Sequence, residues 1–302
     1  MGYCLSLNGA SIIFTGGVVP QAGRRFSSMQ TDPGQGALTS VRNLLRVFNQ
    51  QPLAAKVPEV TVLFWVIKIS TTASGEAISD MFVNNKKLGV VVEVSMFLVA
   101  LVWQFAVRRY SAVPYWFLAL AIATAGTGVS DTMHLVLGMP YAVTTLFWGV
   151  VLAVVFYLWN KSEHTLDIHS ITTNRREKYY WCVVFATFAL GTALGDLFAT
   201  SFGLGYIASA LFFSVLILIP WAGWRLLHWN SIFSFWFAYV LTRPVGASFA
   251  DYLSKGHDVS GLAFGDWQTA LLLTSIVVIL VAYTAVARND IQSPQAEIAG
   301  GT

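Results

Sequence analysis

Four times along this chain an aromatic residue and a tryptophan are followed, after nine intervening residues, by a glycine and, after four more, by an aspartate. The copies are Phe64-Trp65 with Gly75 and Asp80, Tyr115-Trp116 with Gly126 and Asp131, Tyr180-Trp181 with Gly191 and Asp196, and Phe235-Trp236 with Gly246 and Asp251. No gap is needed inside the motif, and successive copies start 51, 65 and 55 residues apart. Self-similarity at this period marks one supersecondary unit used four times. Only nine aspartates exist in the chain, and four of them hold this one place.

Every copy sits in an apolar run. At 56% hydrophobic and 11% charged residues over 302 positions, the chain has the composition of a multi-pass membrane protein. Runs of about 20 residues, enough to cross a hydrocarbon core, occur at about 60–81, 88–107, 113–134, 141–159, 179–199, 204–225, 232–253 and 269–287. The expected fold is an all-α membrane protein of eight transmembrane helices, arranged as four parallel two-helix repeats. Lys56, Arg108, Arg109, Lys161, Arg175, Arg176, Lys178, Arg225 and Arg288 fall on the side of the termini, against Lys86, Lys87 and Lys255 on the other. The positive-inside rule makes both termini cytoplasmic, in a bacterial inner membrane.

The units expected are repeats at 56–110, 111–160, 179–230 and 231–288, a cytoplasmic loop at 161–178 and a cytoplasmic tail at 289–302. Residues 1–55 read as a disordered leader that makes a poor signal peptide. Within it Leu38, Val41, Leu44, Leu45 and Phe48, with Arg42 and Arg46, give 38–48 the spacing of a short basic amphipathic helix. The opening "MGYCLS" fits a loose myristoylation pattern. Cys4 and Cys182 have neither disulfide nor metal-site spacing. The net charge of +3 is small and scattered, so nucleic acid is not an expected partner.

The four Trp-centred copies, with "KVPEVTVLFWVIKISTTASGEAISD" and "YVLTRPVGASFADYLSK" as the closest stretches, resemble a bacterial family of uncharacterised membrane-anchored proteins built from four tandem repeats of unknown function. The resemblance covers about residues 56–288 and implies two transmembrane regions and a characteristic Trp per repeat. It brings no activity and no cofactor.

At 100° per residue, Trp65, Lys68, Thr72, Glu76 and Asp80 lie within about 60° of one line. The same line carries Trp116, Ala119, Ala123, Thr127 and Asp131, then Trp181, Val184, Phe188, Thr192 and Asp196, then Trp236, Tyr239, Arg243, Ala247 and Asp251. A stripe this polar should face protein or water, because charge in lipid is expensive. Each glycine is followed four residues later by Ser79, Ser130, Gly195 or Ala250, a spacing that lets helix backbones approach closely. The tryptophans also fit an interfacial aromatic belt.

The aspartates stand about 22 Å beyond the tryptophans, in the outer part of the bilayer. They either cap turns or converge into an acid cluster for a cation or protons. Glu76 joins them, with Lys68 and Arg243 as counter-ions. His134, three residues after Asp131, is an additional ligand or an interfacial histidine, and Arg243 can equally hold a structural salt bridge. Pro244 frees the carbonyl of Val240 beside Arg243.

The leading expectation is a secondary transporter or exporter of a small cationic solute, metal or organic, with protons as coupling ion and the lipid bilayer as its environment. A divalent cation is the one cofactor the carboxylates would accept. The chain lacks HExxH, GxSxG and Walker patterns, so it is not expected to be an enzyme; a membrane metalloenzyme and a structural or sensory protein are the alternatives. Substrate, direction, coupling and oligomeric state stay open at this point.

Overall fold

The computed structural model describes residues 40 and 42–292, and every regular element among them is helical. The long helices are α1 (Val62–Asp80), α2 (Lys86–Ala106), α3 (Ala112–Leu135), α4 (Tyr141–Glu163), α5 (Asn174–Asp196), α6 (Tyr206–Leu216), α7 (Leu218–Leu227), α8 (Ser231–Ser254) and α9 (Asp266–Ala287). Side-chain oxygens start several of them. Thr61 accepts from the Phe64 amide, Thr173 from Arg176, and Asn230 from Ile232 and Phe233, satisfying amides that have no partner inside the helix. The break between α6 and α7 at Ile217 follows from Pro220, which has no N–H for the carbonyl four residues back and clashes with it.

Six helical segments are long and apolar enough to cross a membrane: 83–106, 112–135, 141–163, 174–201, 206–227 and 266–287. α1 and α8, which carry Lys68, Glu76, Asp80, Arg243 and Asp251, fall outside that set. Both are lined with buried polar groups instead.

Two shells result. α1 packs on α3, α3 on α5, α5 on α8, and α8 back on α1, closing an inner ring. Outside it, the second helix of each repeat lies on the first helix of the next: α2 on α3, α4 on α5, α6 and α7 on α8, and α9 on α1. The burial follows this order. The most apolar windows of α3 and α5 are 72% and 61% buried, against 22–28% for the outer helices. The outer shell turns Val91, Leu98, Leu146, Val150, Leu211, Leu271 and Ile279 outward, a continuous apolar surface of the kind that lipid rather than water covers.

The ring is held by contacts that advance in step. Phe64 packs on Trp116, Tyr115 on Trp181, Tyr180 on Trp236 and Phe235 on Trp65. Three turns on, a Cβ on Gly75 would collide with Ala123, on Gly126 with Phe188, on Gly191 with Arg243, and on Gly246 with Thr72. Each motif glycine therefore sits where the next inner helix comes closest. Trp116, Trp181 and Trp236 are buried inside the ring, so these three belong to the core and not to an aromatic belt, whereas Trp65 is half-buried and borders an outer cavity with Trp221 and Trp224.

The polar link expected at 161–178 is shorter than its composition suggests, because α4 runs to Glu163 and α5 starts at Asn174. What remains is packed. Ile168 and Ile171 are buried, Trp236 donates to the Leu166 carbonyl at 2.9 Å, and Glu163 pairs with Arg175 and, at 2.9 Å, with Arg176. Lys56 is buried against Glu177 at 2.7 Å and the Gln104 carbonyl at 2.8 Å. Burial lowers the pKa of Lys56, opposed by the charge of Glu177.

Residues 42–47 are helical, with Leu44 and Leu45 exposed beside Arg42 and Arg46, while Phe48 packs on Phe105 at 5.2 Å between ring centres. Residues 49–55 of the leader are described and lie against the helices, with the Leu53 amide donating to the Arg108 carbonyl at 2.8 Å and Asn174 donating to the Gln50 carbonyl at 3.1 Å, while residues 1–39, 41 and 293–302 lie outside the described residues.

Candidate functional site

The polar stripes of α1, α3, α5 and α8 meet at the centre of the ring. Arg243, fully buried, places its guanidinium there. Nη2 is 2.6 Å from Glu76 and donates to Thr192 Oγ1 at 2.7 Å and to the Thr127 hydroxyl. Nη1 donates to the Thr72 carbonyl at 3.0 Å, Nε to the Phe188 carbonyl at 3.2 Å, and Nη2 to the Ala123 carbonyl at 3.5 Å. Thr72, Ala123 and Phe188 stand seven residues after their tryptophans, as Arg243 stands after Trp236. One arginine thus reads the same backbone position in each of the other three repeats. Thr127 and Thr192, equivalent to Glu76 in their own repeats, also donate to its carboxylate, at 2.8 and 3.3 Å.

Glu76, Asp80 and Asp251 are all buried, and each offers an oxygen within 4.8 Å of the others. Lys255, one turn beyond Asp251, closes this group with Nζ at 2.7 Å from Asp80, 3.5 Å from Asp266 and 4.0 Å from Asp251. Burial opposes the charge on Lys255, but Asp80, Asp251 and Asp266 override it and hold its pKa above that of an ordinary lysine. Three buried carboxylates share two cations, Arg243 and Lys255. Lys68, fully buried, has no carboxylate in contact among the described residues; Nζ lies 4.0 Å from the Phe188 ring centre, 4.2 Å from that of Tyr239 and 3.5 Å from Thr72 Oγ1.

Of the four motif aspartates, Asp80 and Asp251 belong to the group whose oxygens lie within 4.8 Å of one another, and Asp131 and Asp196 stand outside that group. Lys255 contacts both Asp80 and Asp251 on neighbouring helices, and α5 passes into a π-turn at Leu197–Ser201 directly after Asp196. Asp131 lines a side cavity of about 160 Å³ with Ser79, Lys86, Glu93, Gly128 and Thr132. Glu93 is buried there and accepts from Ser79 at 2.8 Å. Among the described residues neither Asp131 nor Asp196 makes a side-chain hydrogen bond or ion pair. His134 is not among the residues lining this cavity; its ring stacks on Tyr141 at 3.7 Å and its Nδ1 lies 2.8 Å from the Met139 carbonyl.

Lys255 and Asp266 are the site residues that the motif alone did not reveal. The signal was present in the four-residue step from Asp251 to Lys255, which puts both on one helix face.

Shell, ring and buried charges define a multi-pass helical membrane protein assembled from four copies of one unit. A family model described as Repeat of Unknown Function (DUF347) matches residues 63–112, 114–165, 179–228 and 234–290. The chain belongs to this repeat family, and the four matches cover more than two thirds of it. No curated protein and no solved structure matches it.

Proposed function

We propose that the chain crosses the bacterial inner membrane eight times, as four parallel two-helix repeats with both termini cytoplasmic, and works as a secondary transporter or exporter of a small cationic solute rather than as an enzyme. The observation that carries this is the buried trio of Glu76, Asp80 and Asp251 at the centre of the ring. Buried carboxylates outnumbering their cations are costly in a membrane interior, and a bound cation or a proton relieves that cost. The in-step contacts of the inner helices support the parallel order, since matching residues of all four meet at matching levels.

A structural reading is favoured by one observation: Glu76 and Asp80 already have internal partners in Arg243 and Lys255. Thermal unfolding of the purified protein in detergent, across divalent and organic cations and over about pH 5–8, separates the two. The transport reading expects one cation class to raise the midpoint in the wild type and to lose that effect in Asp251→Asn, while the variant still folds. A flat response to every cation, with variants that only unfold earlier, leaves the carboxylates as packing elements.

A further inference from the structure

Three side-chain cations follow one another through the bundle, and each lies in a different kind of cation cradle. Lys255 is among the carboxylates of Asp80, Asp251 and Asp266. Arg243 is among the carbonyls of Thr72, Ala123 and Phe188 and the oxygens of Glu76, Thr127 and Thr192. Lys68 is between the faces of Phe188 and Tyr239. Phe188 joins the last two, its carbonyl receiving Arg243 and its ring receiving Lys68.

From this we infer that the three cradles are successive stations for a nitrogenous organic cation, of the ammonium or guanidinium class, and that the chain's own Lys255, Arg243 and Lys68 hold them in this conformation. The inference rests on the transport reading and names its substrate class. The carboxylates around Lys255 suit either cation type; the other two cradles favour a nitrogen cation. The carbonyls around Arg243 lie at 3.0–3.5 Å from its nitrogens, which is hydrogen-bonding geometry for a planar, weakly hydrated fork of donors. A hard divalent ion needs about six oxygens at about 2.0–2.6 Å. The Lys68 cradle presents two π faces and one hydroxyl, Thr72 Oγ1; aromatic faces attract organic ammonium ions and supply none of the oxygens that a hard ion requires. A solute advancing along this line takes up the bonds that each side chain releases, so no station is left as a bare charge.

The test uses the full-length chain in proteoliposomes, following uptake of labelled guanidinium, methylammonium, Mn²⁺ and Ca²⁺ against protein-free vesicles. In parallel, the thermal midpoint of Arg243→Ala is measured with guanidinium chloride at millimolar, non-denaturing concentration and with equal sodium chloride. Uptake of the nitrogen cations, together with a midpoint raised by guanidinium and not by sodium, is the expected result. Uptake of divalent ions alone overturns the inference and leaves transport standing, whereas no uptake of either class overturns both. Equal midpoints in the two salts remove the guanidinium station. If Arg243→Ala does not fold, Lys68→Ala with methylammonium against sodium makes the same comparison at the adjoining cradle.

Discussion

Arg243 and Glu76 pair at 2.6 Å in the centre of the ring, each buried, with the arginine also bonded to a backbone carbonyl from every other repeat. A pair of this kind is costly to bury and more costly to halve. Glu76→Gln and Arg243→Met should each lower stability by about 3–5 kcal/mol, because each leaves a partner uncompensated. The double variant should recover a large part of that loss. A double-mutant cycle on unfolding in detergent reads the coupling directly, and additive losses would contradict it.

The motif glycines should be intolerant of a single methyl group. At Gly75 a Cβ meets Ala123 Cβ and the backbone at 3.0 Å, while at Gly149 on the outer helix α4 nothing lies within 4 Å. Gly75→Ala should cost about 1–3 kcal/mol through overpacking, and Gly149→Ala should stabilise by up to about 1 kcal/mol through helix propensity. Thermal midpoints of the two variants, measured side by side, should move in opposite directions.

Asp131→Asn and Asp196→Asn should behave unlike Asp80→Asn. Asp80 loses an ion pair with Lys255, so its removal weakens the fold, whereas Asp131 and Asp196 have no such partner among the described residues, so Asn in their place breaks no ion pair and should not lower stability. Any loss of cation response in those two variants then reports on binding and not on folding.

The loop after α4 carries a pH-dependent contact. His169 Nδ1 lies 3.0 Å from Asp167, and His169 Nε2 lies 3.8 Å from Glu59. The bond to Asp167 raises the histidine pKa above 6.5, and the bond from His169 lowers that of Asp167 below 3.8. A raised histidine contributes stability in full below its unfolded value and loses it as pH climbs through the folded one; the lowered aspartate contributes above its unfolded value and loses it on acidification. Hydrogen-exchange protection across 164–173, corrected for the intrinsic pH dependence of amide exchange, should therefore fall between about pH 6 and 8, by less than about 1 kcal/mol for so exposed a pair. In His169→Gln that step should vanish.

The fourfold unit, the membrane class and the polar stripe could all be read from spacing, because a motif without gaps fixes both the period and the helix face. Tertiary facts were out of reach. Nothing local says that α2 lies on α3 or that α9 returns to α1. The pairing of Asp80 and Asp251 runs through Lys255, a residue whose charge, taken alone, only helped to orient the chain. Trp116, Trp181 and Trp236 misled for the opposite reason: an aromatic pair at a span end has the composition of a membrane belt, and only the ring shows it facing inward. Arg243 was visible as a charge, but its three carbonyl partners are backbone atoms and leave no mark on the sequence.

The contact of α9 with α1 sets this architecture apart from open repeat arrays. An open array grows by addition and needs dedicated end units to cover its last faces. Here every unit has a neighbour on both sides, so the molecule has a beginning and an end along the gene and none in space. Deleting one unit would not shorten the protein but would breach a closed wall, and the number four is as much a part of its shape as any side chain.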